Sequence, residues 1–369
     1  MSDHRGLVRC GPVYFPCACT AGLWRQVFLR ASHVMQAPFD GKGKPMSLKH
    51  TLGLAIAAGL AFGTPALAEK LDRITLASPF APLVMPMAYI VENGLLDEVA
   101  EEVDLEIWNT PDQLRAMMTS GSVDFASVPS NVAAIFYNKG VALKMVDVSI
   151  WGVMYVVSAE GEPGALSDLK GQTVHVPFRG DQPDLIFQTI ARSQGLDPLK
   201  DFDVQYVSSP LDIVAGLMAG TIKNALLIEP VSSMVIMKGK PKGMAFKRVV
   251  DIQTELGKIE GWEDRFPNAG VVALPGILDN PEAVEVFAKA YDEAVDWAVA
   301  NPAEAAALAA KHVPGVNAAA FEESLNHTIF DAVPSGEVRP AMETMFGAFI
   351  ELNPKSVGGQ LPDDGFYYP

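Results

Sequence analysis

Sliding the chain against itself by 99 positions sets Val103–Gly140 on Phe202–Gly239 without a gap. Asp104 then falls on Asp203, Pro111 on Pro210, Ala116 on Ala215 and Gly121 on Gly220. Ala126 falls on Ala225, Val132 on Val231, and Lys139-Gly140 on Lys238-Gly239. The shared order of structural signals matters more than the identities. Each copy opens on a strand-like stretch (Val103–Trp108, Phe202–Val207) and then offers a capping hydroxyl before a proline, Thr110-Pro111 or Ser209-Pro210. A helical run follows to Gly121 or Gly220, then a second apolar strand (Val123–Val128, Ile222–Ile228), then a second helix ending in Lys-Gly. A chain that holds two such units is constrained to build two similar bodies.

Upstream stretches match more loosely. Ile74–Ala77 leads to Ser78-Pro79-Phe80-Ala81-Pro82, and Thr173–Val176 leads to Pro177-Phe178-Arg179-Gly180-Asp181, each followed by a helical pattern that ends at Gly94 or Gly195. Strands that alternate with helices imply βαβ units around a mostly parallel sheet. Strand-like Ile150–Ser158 and Ala269–Leu274 bracket the second copy, and long Ala-rich helical patterns follow at Pro281–Ala300 and Pro302–Lys311. We therefore expect lobe 1 from residues 69–157 plus 270–369, lobe 2 from 158–269, and two hinge crossings, near Ser158 and Asn268. Residues 358–369, rich in Gly, Pro and Asp, read as a loop laid on the surface.

The N-terminal part has a different logic. Lys49 precedes an apolar run from Leu52 to Phe62, then Pro65 and the small-residue exit Ala66-Leu67-Ala68, the pattern of a secretory signal peptide over 46–68 cleaved after Ala68. Residues 1–45 read as a mis-assigned upstream start or a disordered extension. Cleavage would leave 301 residues and remove all three cysteines, Cys10, Cys17 and Cys19. The remaining chain could form no disulfide, thiolate metal site or Cys nucleophile. Residues 1–68 carry seven basic and two acidic residues, so on cleavage the 28 Lys+Arg and 44 Asp+Glu of the full chain fall to 21 and 42. That acidic excess, with no cationic cluster, opposes nucleic acid as a partner. His175, His312 and His327 lack metal spacing, no cofactor motif is present, and G-x-S-x-G, Walker, G-x-G-x-x-G and H-E-x-x-H patterns are missing, so neither a cofactor nor catalysis is expected.

Four stretches carry a family resemblance: Ser122-Val-Asp-Phe-Ala, Leu166-Ser-Asp-Leu-Lys-Gly-Gln-Thr-Val, Leu217-Met-Ala-Gly with Leu227-Ile-Glu-Pro, and Ala300-Asn-Pro-Ala-Glu-Ala-Ala. With the leader and the two α/β lobes, the chain resembles the type II periplasmic substrate-binding proteins of ABC importers. Within them it is similar to the branch of nitrate, sulfonate (taurine-like) and thiamine-pyrimidine-precursor binders. The resemblance implies a type II periplasmic-binding-protein-like α/β clamshell in the periplasm, a monomer that binds a small molecule and docks transiently on an inner-membrane ABC permease. An enzyme of the same fold in pyrimidine or cofactor-precursor synthesis, and a periplasmic sensor-input module, remain alternatives.

In open sheets of this kind ligands meet loops beyond the carboxyl ends of the strands. Arg179 precedes a helix start and could hold a carboxylate, sulfonate or nitrate, or else pair with Asp181 or Asp184. Asp181 suits a helix cap or a ligand contact. Glu229, which matches an acidic residue at the same place in the resembled family, suits a ligand N–H or ammonium, or a cap. Ser78 lies in the first such loop; Ser130 and Asn131 are helix caps whose neighbouring N–H groups could face a ligand. Phe80 and Trp151 offer flat faces to an aromatic or cationic ligand, or belong to the core.

Overall fold

The computed structural model describes residues 70–369 except 163 and 314–316. The expected leader, its cleavage point and the 1–45 extension lie outside the described residues. Six strands form the first sheet: β1 (Leu71–Pro79), β2 (Ala100–Trp108), β3 (Phe125–Pro129), β4 (Lys144–Gly152), β10 (Ala269–Ala273) and β11 (Ile329–Pro334), in the order β11-β4-β10-β3-β1-β2. The second sheet holds β5 (Met154–Ser158), β6 (Thr173–Pro177), β7 (Asp203–Val207), β8 (Asn224–Ile228) and β9 (Lys247–Asp251), in the order β7-β6-β8-β5-β9.

The repeat is visible in this topology. Strands β2-β1-β3 form a parallel trio, and β7-β6-β8 form an equivalent one. The equivalent helices are α1 (Val84–Asn93) and α4 (Gln182–Ser193), α2 (Pro111–Ser120) and α5 (Pro210–Ala219), α3 (Ser130–Asn138) and α6 (Val231–Gly239). The caps behave as their chemistry requires. Thr110 Oγ1 accepts the Gln113 N–H at 3.2 Å and Ser209 Oγ the Leu211 N–H at 3.2 Å. Gly121 and Gly220 close α2 and α5 at φ of 72° and 74°, a left-handed turn that costs glycine little. Each trio is widened by strands that pair antiparallel, β10 on β3 and β5 on β8, so both sheets are mixed.

The chain passes between the sheets earlier than the sequence suggested. Ile150–Ser158 is two strands, not one: β4 ends at Gly152 in the first sheet and β5 starts at Met154 in the second. Val153 is the link, and Gln253 Oε1 accepts both the Val153 and Met154 N–H groups at 3.2 and 3.1 Å. Beyond β9 the chain forms α7 (Ile252–Leu256) and returns to the first sheet at β10.

Short α8 (Pro275–Leu278) then leads to α9 (Pro281–Ala300), α10 (Pro302–His312), α11 (Ala318–Leu325) and, after β11, α12 (Ser335–Leu352). Helix α9 lays Phe287 on Phe125 of β3, ring centroids 3.8 Å apart, which fixes it on the first sheet. The C-terminal segment lies on the surface as its Gly, Pro and Asp content suggested, but its aromatic end is anchored in the core. Phe366 is fully buried among Tyr137, Phe346 and Tyr367, and the Tyr368 N–H donates to the Met145 carbonyl of β4 at 2.8 Å. Burial of the aromatic ring offsets part of the entropy lost in ordering the segment. Among the described residues no helix is long and apolar enough to cross a membrane.

Candidate functional site

Strands β1 and β3 are parallel neighbours, so Ser78 near the end of β1 and Ser130 and Asn131, the first residues of α3, all lie toward the carboxyl edge of this sheet. Asn268, just before the antiparallel β10, arrives at the same level because Ala269 pairs with Pro129. From the other sheet, β6 ends in a loop that includes Phe178, a non-glycine residue at φ 57°, and delivers Asp181 and Gln182 at the start of α4. Such a left-handed residue is strained and is found where a loop must aim a particular group.

These residues meet across the seam between the sheets. Asn131 Nδ2 donates to Asp181 Oδ1 at 3.0 Å and to the Ser356 carbonyl at 3.2 Å. The Asn268 carbonyl accepts the Ser130 N–H and the Gln182 Nε2, both at 3.0 Å. Asp181 Oδ1 also accepts the Gln182 N–H at 2.8 Å, so its carboxylate caps α4 while reaching the first turn of α3. Ser78, Ser130, Asn131 and Asn268 are buried, yet among the described residues Ser78 Oγ, Ser130 Oγ, Asn131 Oδ1 and Asn268 Nδ2 have no hydrogen-bond partner. Buried polar atoms are nearly always paired, so four orphans at one set of strand ends mark a place able to recognise a polar molecule. Their chemistry is mixed: two hydroxyls of either sense, one acceptor and one donor.

The other residues singled out from sequence stand elsewhere. Arg179 is exposed and lies over the Tyr206 ring of β7, 5.0 Å from its centroid. It does not pair with Asp184, whose carboxylate accepts the Gly180 N–H at 2.7 Å, Gln188 Nε2 at 2.9 Å and the Tyr206 hydroxyl at 3.0 Å. Glu229 is not the lone carboxylate that an ammonium ligand would need. It is fully buried, and its Oε1 accepts Nε and Nη2 of Arg248 at 3.0 and 2.7 Å while Oε2 takes the Ser233 N–H at 3.1 Å. Burial pushes its carboxyl up and the Arg248 guanidinium opposes that shift.

Trp151 is also no ligand platform. Its indole N–H donates to the Asp331 carbonyl at 2.8 Å, and Arg265 covers the ring at 4.4 Å, which makes it a strut beside the Val153 link. Phe80 is half-buried and edge-on to Phe321 of α11 at 5.4 Å. Sequence reading missed Arg248 and Ser356. The sequence places Asn268 at a crossing and Gln182 at a helix start, whereas Arg248 and Ser356 carry no signal, because each depends on a partner in another element.

Two parallel-cored α/β sheets joined by two connections, with a polar cluster at the seam where their strand ends meet, are the architecture of the two-lobed periplasmic-binding-protein fold. The chain belongs to the NMT1/THI5-like family, whose model matches residues 99–305. A Brucella abortus protein named as a binding protein is 25% identical over 224 residues, which is 60% of this chain and 65% of that relative, under two thirds of its length. An ABC transporter structure from Parabacteroides distasonis superposes with a TM-score of 0.67 at 24% identity, over 81% of this chain and 99% of that one. The periplasmic aliphatic sulphonate binding protein of Escherichia coli gives 0.64 at 18% identity, over 81% and 92%. The periplasmic nitrate-binding protein of Synechocystis gives 0.55 at 16%, over 69% and 70%.

Proposed function

We propose that this chain is the periplasmic solute-binding component of an ABC importer, exported by its leader and acting as a monomer. It holds a small molecule at the seam between the two sheets and passes it to an inner-membrane permease. The observation that carries this reading is the set of four buried, unpartnered polar atoms at the ends of β1 and β3 and before β10, closed over by Asp181 and Gln182. No bond need be broken there: the cluster offers hydrogen bonds to a ligand, but no paired nucleophile and base.

Its charge favours one ligand class. The starts of α3 and α4 would ordinarily welcome an anion, but Asp181 already places a carboxylate between them. A second anion would meet that charge at close range. A neutral or weakly cationic molecule that presents both N–H donors and acceptors, such as a nitrogen heterocycle, suits the cluster better. Arg179 supports a second reading, since its exposed guanidinium beside the α4 start could attract a sulfonate, nitrate or carboxylate.

Titration calorimetry of the mature chain against pyrimidines, guanidinium compounds, sulfonates, nitrate and dicarboxylates separates the two. Heterocycle binding that is lost in Asn131→Ala and kept in Arg179→Ala is the expected result. Anion binding lost in Arg179→Ala would establish the second reading, and binding untouched by either variant would remove the seam as the site.

A further inference from the structure

Helices α6 and α11 belong to different sheets. Val231 and Val235 of α6 pack into the core of the second sheet with Val157 and Leu227, whereas Phe321 of α11 packs with Val84, Met85 and Ala298 beside the first. Between the two helices lies a cavity of about 440 Å³, within the range of small-molecule sites. Ser233, Ile236, Met237 and Lys240 line one wall and Ala319, Glu322, Glu323 and Asn326 the other. Both sets have spacings of three, four and seven residues, so each is a single continuous helix face.

The α6 wall carries Lys240 and an Arg248 that is paired with buried Glu229 and lies 5.3 Å from the Tyr155 ring centroid, and the α11 wall carries Glu322 and Glu323. On the α6 side Lys240 stands at the rim, and Arg248 of β9 forms the floor with its side chain only 15% exposed. Arg248 spends Nε and Nη2 on Glu229 and Ser233. Among the described residues its Nη1 donates to no protein acceptor. On the α11 side, Glu323 is held by His327 Nε2 at 3.2 Å and Asn326 Nδ2 at 3.3 Å, while Glu322 pairs with no cation among the described residues. Ile236, Met237 and Ala319 supply an apolar strip between the charged ends.

We propose that this groove is a second binding site, distinct from the strand-end cluster, for a zwitterionic amino acid. Its carboxylate would meet Arg248 Nη1 and Lys240, its short apolar body would lie on Ile236 and Met237, and its ammonium would face Glu322 and Glu323. A carboxylate alone would leave the glutamates facing nothing but its own charge. An amine alone would lose the guanidinium. Because the walls belong to different sheets, an occupant ties them together and acts as an effector of closure.

The test uses the mature chain with ω-amino acids from glycine to 6-aminohexanoate, each beside the alkanoate and the alkylamine of equal length, by calorimetry. One chain length should bind roughly tenfold or more tightly than either single-charge counterpart, the size of two partly desolvated charge contacts. In the Glu322→Gln/Glu323→Gln double variant that preference over the alkanoate should fall to about one, as expected when the ammonium loses its partners. Asn131→Ala, which strikes the strand-end cluster, should leave the preference intact and so separates failure of this site from failure of the transport reading. Absence of binding across the series, equal binding of the alkanoate, or a preference that survives in the double variant overturns the assignment.

Discussion

Asp147 is the residue whose chemistry is most at odds with its surroundings. It sits in β4, buried, with neither carboxylate oxygen in a well-formed hydrogen bond. Burial pushes its carboxyl well above the usual range, and Asp292 adds to this, while Ser149 and the Val271 N–H oppose it only in part. Tyr291 is close by, its hydroxyl 3.0 Å from Ser149 Oγ, and is itself pushed up by burial and by Asp147. The folded state thus keeps the Asp147 proton to higher pH than the unfolded chain, which releases it near the ordinary carboxylate pKa of about 4. Where the folded state binds more protons, stability falls as pH rises, so this residue costs progressively more from about pH 4 upward. Asp147→Asn should be more stable than the parent at pH 7, by a margin in denaturant melts that widens as the pH rises above about 4. A margin that shrinks with pH would mean that Asp147 is ionised and satisfied in the folded protein.

Glu229 and Arg248 make the complementary case, a buried charge that is paired. Removing the guanidinium alone, as in Arg248→Met, leaves Glu229 buried and uncompensated and should cost about 3–5 kcal/mol. Changing both, as in Glu229→Gln/Arg248→Met, should recover most of that loss in the same melts. The position of Glu229 at a strand end was legible in the sequence, but its role was not. A carboxylate reads the same whether its partner is a ligand or an arginine 19 residues away on another strand.

At the scale of elements, the repeat was readable because strand, cap, helix and glycine stop are all local signals; Thr110, Ser209, Gly121 and Gly220 each act within a few residues. What escaped were contacts set by other elements. The break of one apolar run into β4 and β5 at Gly152–Met154 follows from which sheet each half joins, and alternation alone cannot report that. Strand β10 was expected, but not how tightly it is gripped. Gly270 lies so close to β4 that a Cβ there would come within 2.0 Å of the Asp147 carbonyl oxygen and 2.7 Å of the Val148 Cα. Both obstacles are backbone and cannot swing aside. Gly270→Ala should therefore destabilise by about 1–3 kcal/mol or more through forced separation of β10 and β4. An alanine variant with an unchanged melting midpoint would show that the strands are looser than this spacing.

For the whole molecule, the question is what holds the two sheets' strand ends together. The backbone joins them at Val153 and through the segment after β9; among the described residues, side chains bridge the strand ends from Asn131 to Asp181 and from Gln182 to the Asn268 carbonyl, and Tyr155 Oη donates to the His327 carbonyl at 2.8 Å. Each such hydrogen bond contributes about 0.5–1.5 kcal/mol net, and Asn131–Asp181, being charge-assisted, sits toward the upper end or above it. A sum of that size is comparable to the few kcal/mol that separate open and closed states of hinged proteins. Removing both strand-end bridges in Asp181→Ala/Gln182→Ala should consequently shift the ligand-free population toward an open form without unfolding either sheet, since neither side chain belongs to an apolar core. Small-angle scattering should register this as a larger radius of gyration for the double variant than for the parent, at an unchanged far-ultraviolet dichroism spectrum. Equal radii would mean that apolar packing at the seam, and not these polar bridges, sets the closed geometry.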